Sequence, residues 1–200
     1  ACVQVRGEYL FSAEGAGGLR VYDVASIANK NVSQRIISAP FSPLGHDTRV
    51  ASKNATCVAL PTNQPIAPTR MDTHAALMRD VNLEQPFHPI YRYAAITDSV
   101  EGLILVNVDT LADGNARNNM LKRAVTWNGG TERPGVLNGA RHIVLGGSTA
   151  YVTTDVGIVI VDLAAPLKPK LTAVVSLPGA RASALQFRYL FVLDSNGMRV

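Results

Sequence analysis

Charge is scarce in this chain: 17% of its 200 residues are Asp, Glu, Lys or Arg, against roughly 25% in an ordinary globular protein. The 19 basic residues exceed the 15 acidic ones, but they are scattered and never form a block of five. That pattern reads as solvated surface and argues against nucleic acid as a partner. No run of 18 apolar residues occurs, so no transmembrane helix is expected in this segment. Residues 1–8 lack the basic and apolar regions of a signal peptide. There are only two cysteines, Cys2 and Cys57, in neither a CxxC nor a CxxCH pattern. A cysteine-built zinc site and a covalently attached c-type haem are therefore excluded within the chain. Two buried thiols are the expected state of this pair, with a disulfide as the alternative. What the chain does have is apolar content, 47% of all residues, which excludes disorder.

The apolar residues repeat. Four segments open on tyrosine, run through a short apolar strand to an acid, turn at glycine and enter a second apolar strand. The first runs Tyr9-Leu10-Phe11-Ser12-Ala13-Glu14 to Gly18-Leu19-Arg20-Val21-Tyr22-Asp23-Val24. The second runs Tyr93-Ala94-Ala95-Ile96-Thr97-Asp98 to Gly102-Leu103-Ile104-Leu105-Val106-Asn107-Val108. The third runs Tyr151-Val152-Thr153-Thr154-Asp155 to Gly157-Ile158-Val159-Ile160-Val161-Asp162-Leu163, and the fourth Tyr189-Leu190-Phe191-Val192-Leu193-Asp194 to Gly197-Met198-Arg199-Val200. Each predicts a β-hairpin, glycine supplying the positive φ of the turn. The low polar alternation predicts sheets covered on both faces. Tyr151 and Tyr189 are 38 residues apart, close to the length of a four-stranded propeller blade. The stretches 139–145 and 179–185 read as the strand before each hairpin, and 166–175 as a proline-bounded loop and an outer strand. The fold class is all-β, a β-propeller of four-stranded blades with irregular insertions.

These strands resemble the LVIVD-repeat β-propeller family. The resemblance rests on Leu19-Arg20-Val21-Tyr22-Asp23, Leu103-Ile104-Leu105-Val106-Asn107 and Ile158-Val159-Ile160-Val161-Asp162, with the Ala-Arg strand starts at 140–141 and 180–181. It implies LVIVD-type blades, a periplasmic, outer-membrane or extracellular location, and a parent chain that can carry cytochrome-type domains. It implies almost no chemistry of its own.

The middle of the chain breaks the pattern. Thr48–Ser52 and Thr56–Leu60 resemble the first two strands of a degenerate unit whose third strand is missing. Pro61, Pro65 and Pro68 then predict an irregular loop, and Asp72 a cap for a short helix over Thr73–Arg79. Insertions are thus expected at about 61–90 and 110–138, projecting from the body and carrying contacts to other chains or domains. By comparison with the other repeats, residues 1–200 are expected to be part of one propeller domain truncated at both ends, so that the remaining blades or domains of a parent chain are partners.

No catalytic motif is found. Gly15, Gly17 and Gly18 precede a strand and not the helix that a dinucleotide fingerprint needs. Ser148 lacks the second glycine of a nucleophile elbow. Asp109, Asp113 and Asn115 do not match an EF-hand and read as a turn. The acids Glu14, Asp98, Asp155 and Asp194 share one repeat position, which suits turn formation better than chemistry. Among His46, His74, His88 and His142 no pair has metal-ligand spacing. His74 and Met78 fall at i,i+4, and His142 starts an inner strand near a propeller mouth; these two histidines are the candidate haem or ligand contacts. The leading functional expectation is a non-catalytic scaffold or binding region in the bacterial envelope or outside the cell, with no cofactor within this chain. The alternatives are an electron-transfer assembly, with haem in the parent protein or a partner, and a propeller enzyme whose active residues lie in other blades.

Overall fold

The structure is a computed structural model that describes residues 2–24, 37–38, 48–71, 80, 85–115 and 118–200. The chain is all-β, and its sheets are arranged as four blades of a β-propeller. Blade 1 contains β1 (Cys2–Arg6), β2 (Tyr9–Ala13), β3 (Leu19–Asp23) and β4 (Ile37–Ser38), with β5 (Arg49–Val50) also paired to β3. Blade 2 is β6 (Ala55–Ala59), β7 (Tyr93–Asp98), β8 (Gly102–Asn107) and β9 (Lys122–Trp127). Blade 3 is β10 (His142–Gly146), β11 (Thr149–Thr153), β12 (Gly157–Asp162) and β13 (Lys170–Ser176). Blade 4 holds β14 (Ala182–Gln186), β15 (Tyr189–Asp194) and β16 (Gly197–Arg199). The four hairpins expected from the repeat are β2–β3, β7–β8, β11–β12 and β15–β16, each antiparallel.

Two expectations about the middle are corrected. Residues 48–60 are not a degenerate blade. Arg49–Val50 pairs with β3 at the outer side of blade 1, whereas Ala55–Ala59 is the inner strand of blade 2 and pairs with β7. The proline-rich insertion therefore sits inside blade 2, where the other blades have a tight turn between their first two strands. Residues 110–138 are not all insertion either, because Lys122–Trp127 is the outer strand of blade 2. Its side chains are mostly solvent-facing, so it lacks the apolar run that marks inner strands. The described parts of the first insertion fold back on the body: Met71 and Ile90 are buried, the Gly7 amide donates to the Asn63 carbonyl (2.9 Å), and Arg6 donates to the Tyr91 carbonyl (3.2 Å). The expected helix over 73–79 lies outside the described residues.

Successive side chains of a strand point to opposite faces, so each sheet has two. One face of every blade, here its forward face, covers the opposite or rear face of the next. Phe11, Ala13, Leu19 and Val21 of blade 1 meet Val58, Ala94, Ile96, Ile104 and Val106 of blade 2. Cys57, Ala95, Leu103 and Leu105 of blade 2 meet Ala150, Val152, Val159 and Val161 of blade 3. Tyr151, Ile158 and Ile160 of blade 3 meet Leu190 and Val192 of blade 4. Each fully buried Leu, Ile or Phe in these layers contributes about 1.5–3 kcal/mol by leaving water. The turn glycines are required by space as well as by φ. A Cβ on Gly157 (φ +133°) would lie 2.1 Å from the Val175 carbonyl oxygen.

Candidate functional site

The strands β1, β6, β10 and β14 stand innermost, β1 beside β6, β6 beside β10 and β10 beside β14, and line the central channel. All four line a cavity of about 300 Å³ through Gln4, Ala59, Ile143, Leu145, Ser183 and Leu185. At the starting end of these strands lies a wider mouth of about 510 Å³, edged by Glu14, Gly15, Thr56 and Arg141.

An innermost strand is a sheet edge, so every second amide points away from its own blade and needs another partner. The preceding blade supplies several. The Val58 amide donates to the Cys2 sulfur (3.4 Å) and the Leu60 amide to Gln4 Oε1 (2.8 Å), both from blade 2 to blade 1. The Ser183 amide donates to His142 Nδ1 (3.3 Å), from blade 4 to blade 3. Cys2 and His142 hold the same register position: each lies opposite the last residue of its blade's second strand, Ala13 and Thr153. Threonines add bonds between blades. Thr56 Oγ1 donates to the Ala140 carbonyl (2.9 Å), and Thr153 Oγ1 reaches the Arg181 carbonyl (3.5 Å).

That register explains the cysteines. Cys57 occupies the position in blade 2 that Cys2 occupies in blade 1, and the two are joined as a disulfide with Cα atoms 4.7 Å apart. The expectation of two buried thiols is thus corrected. Spacing along the chain could not show that both residues lie on innermost strands of adjacent blades.

His142 is half-buried, and burial pushes its pKa below the ordinary value. Because Nδ1 accepts the Ser183 amide, the proton of the neutral ring sits on Nε2. Ser183 Oγ also lies 3.4 Å from Nδ1. This serine is buried in the packing layer between blades 3 and 4, so the contact pins two blades. His88 has a local task, its Nδ1 accepting the Ile90 amide (3.1 Å). His46, His74 and Met78 lie outside the described residues.

The repeated acids divide by role. Burial raises the pKa of Asp98, but amide donations from Glu101, Asn54 and Val100 outweigh it and hold the carboxyl below its usual value. Asp194 accepts from Asn196 (2.7 Å) and pairs with Arg199. In blade 3 the turn is held instead by Thr154, whose Oγ1 accepts the Val156 amide (3.3 Å), while Asp155 pairs with Arg141 within the same blade. Glu14 accepts from the Tyr22 hydroxyl (2.7 Å) and pairs with Arg20 (3.4 Å). Asp113 accepts from the Asn115 amide (2.8 Å) as a turn, and Asp109 pairs with Arg92 (3.0 Å). Arg6, buried nearby, is lowered to about 10 by its burial, against the attraction of Asp109. Among the described residues no three His, Cys, Asp or Glu side chains converge as metal ligands, and no helix is long and apolar enough to cross a membrane.

The mouth therefore presents ion pairs and capped turns. Sequence reasoning missed Gln4, Thr56 and Ser183, whose importance lies in bonds between blades that no repeat pattern signals. No protein-family model, curated protein or solved structure matches the chain.

Proposed function

We propose that this chain is a non-catalytic β-propeller scaffold that binds other protein surfaces in an extracytoplasmic compartment. One observation carries the reading: Phe187 and Tyr189, at the turn between β14 and β15, are 91% and 49% exposed. Apolar surface of this kind marks interaction sites in folded proteins. The commitment of Glu14, Asp98, Asp155 and Asp194 to turns and ion pairs supports a binding role over catalysis. The Cys2–Cys57 disulfide supports the compartment, because such bonds persist where the surroundings oxidise. The resemblance to LVIVD-repeat propellers points to the same compartment.

Site-specific photo-crosslinking in producing cells tests the binding role. A photoreactive phenylalanine analogue at Phe187 is expected to give covalent protein adducts. The same probe at Val156, also exposed but on the blade 3 turn, is expected to give few. Equal yields at both positions, or none at Phe187, would contradict the reading.

A further inference from the structure

We propose that the cleft between the β9–β10 connection and the start of β13 binds a neutral sugar ring, one unit of a glycan. The site lies apart from Phe187 and stands independently of the protein-binding role.

The cleft is an addition to the repeat. The β13–β14 connection needs only residues 177–181, whereas the β9–β10 connection runs over 128–141. The strand leading into it differs too. Trp127, paired with Leu103, takes the place that Val175, paired with Ile158, holds in blade 3. Long connections on a rigid scaffold are where binding residues concentrate.

The connection is held in shape before any ligand arrives. Asn128 Oδ1 accepts the Leu137 amide (2.8 Å), Asn128 Nδ2 donates to Asn138 Oδ1 (2.8 Å), and the Asn128 carbonyl accepts the Gly135 amide (2.9 Å). The Gly129 carbonyl accepts the Arg133 amide (3.1 Å). Val136 and Leu137 are buried and tie the loop to the core between blades 2 and 3. Trp127 packs on the same core but is only half-buried. Its ring is thus fixed while part of it stays open, and such preorganisation lowers the ordering cost of binding.

Between this loop and β13 lies a cleft of about 160 Å³, lined by Trp127, Gly130, Thr131, Glu132, Pro169 and Lys170. Among the described residues the Trp127 indole N–H, the Glu132 carboxylate and the Lys170 ammonium have no hydrogen-bond or ion-pair partner. Gly130 keeps the indole edge clear. A Cβ there would stand 3.3 Å from Trp127 Nε1, close to where a bonded ligand oxygen would sit.

These groups define the chemistry of the ligand. Glu132 only accepts hydrogen bonds, whereas Lys170 and the indole N–H only donate. A ligand that satisfies all three must donate and accept within a small space, and must lay an apolar face on the indole ring. A sugar ring does both, through its hydroxyls and its C–H face. An anion such as phosphate would meet the charge of Glu132, and a simple cation that of Lys170. The cleft has the room of about five waters, which suits one ring with its outer edge in solvent and not an extended peptide.

Trp127 is the only tryptophan in the sequence, so its fluorescence reports on the cleft alone. Titration of the purified chain with the methyl glycosides of glucose, galactose, mannose and N-acetylglucosamine is expected to give a saturable change with at least one. The dissociation constant should be millimolar, as a single small ring allows. Glu132→Gln and Lys170→Met should each weaken that binding about tenfold, the effect of losing a hydrogen bond to a charged group, with the melting temperature unchanged. Lys168→Met, at an exposed position outside the cleft, should leave binding as it was. No saturable response to any of the four glycosides would overturn the proposal. So would a response that both cleft variants leave intact, or one that free glycine gives equally well, since that would assign the cleft to a zwitterion.

Discussion

Replacing Cys2 and Cys57 together by alanine is expected to destabilise the chain by about 4 kcal/mol, the loop-closure entropy released when a bond across roughly 55 residues is removed. Alanine is the right substitute because Cys57 is buried in the apolar layer between blades 2 and 3 and a hydroxyl there would lack a partner. For a chain of this size the loss corresponds to a fall in melting temperature of roughly 10 °C. The bond matters because it joins the innermost strands of two adjacent blades. Heating scans with and without reductant check this. Curves that superimpose in the wild-type chain would show that Cys2 and Cys57 are not bonded in solution.

The second large effect concerns two phenylalanines at equivalent positions. Phe11 and Phe191 each stand two residues after the tyrosine that opens the hairpin, on the forward face of blades 1 and 4. Phe11 is buried against blade 2, whereas Phe191 is only half-buried. Phe11→Ala is expected to cost about 3–5 kcal/mol, the transfer and cavity penalty for a buried phenylalanine. Phe191→Ala should cost less than about half of that, because water already reaches the ring. Denaturant unfolding of both variants reads the difference directly. Equal losses would mean that the two faces are covered alike.

The hairpins were legible because their physics is local. A tyrosine, an apolar run, an acid or threonine that caps the turn and a glycine of positive φ all fall within a dozen residues. Blade 2 was not legible, because its first strand, Ala55–Ala59, pairs with β7 across the proline-rich insertion. Its outer strand hid in an apparent loop, since Lys122, Arg123 and Thr126 face solvent. The bonds between blades were hidden more deeply. Thr56 donating to the Ala140 carbonyl and Cys2 bonded to Cys57 depend on which strands stand side by side, and neither composition nor spacing encodes that before the register is known. His142 shows the cost. From its place at a strand start it resembles a ligand at a propeller mouth, but its Nδ1 accepts the amide of the neighbouring blade as the Cys2 sulfur does.

Amide hydrogen exchange across β11 and β15 tests most directly whether blade 4 is less covered than blade 3. The amides of Leu190–Leu193 should exchange much faster than those of Ala150–Thr153 in the enclosed blade 3, because the less covered sheet opens more readily. Protection of β15 equal to that of β11 would contradict the account of blade 4 and the binding role built on it.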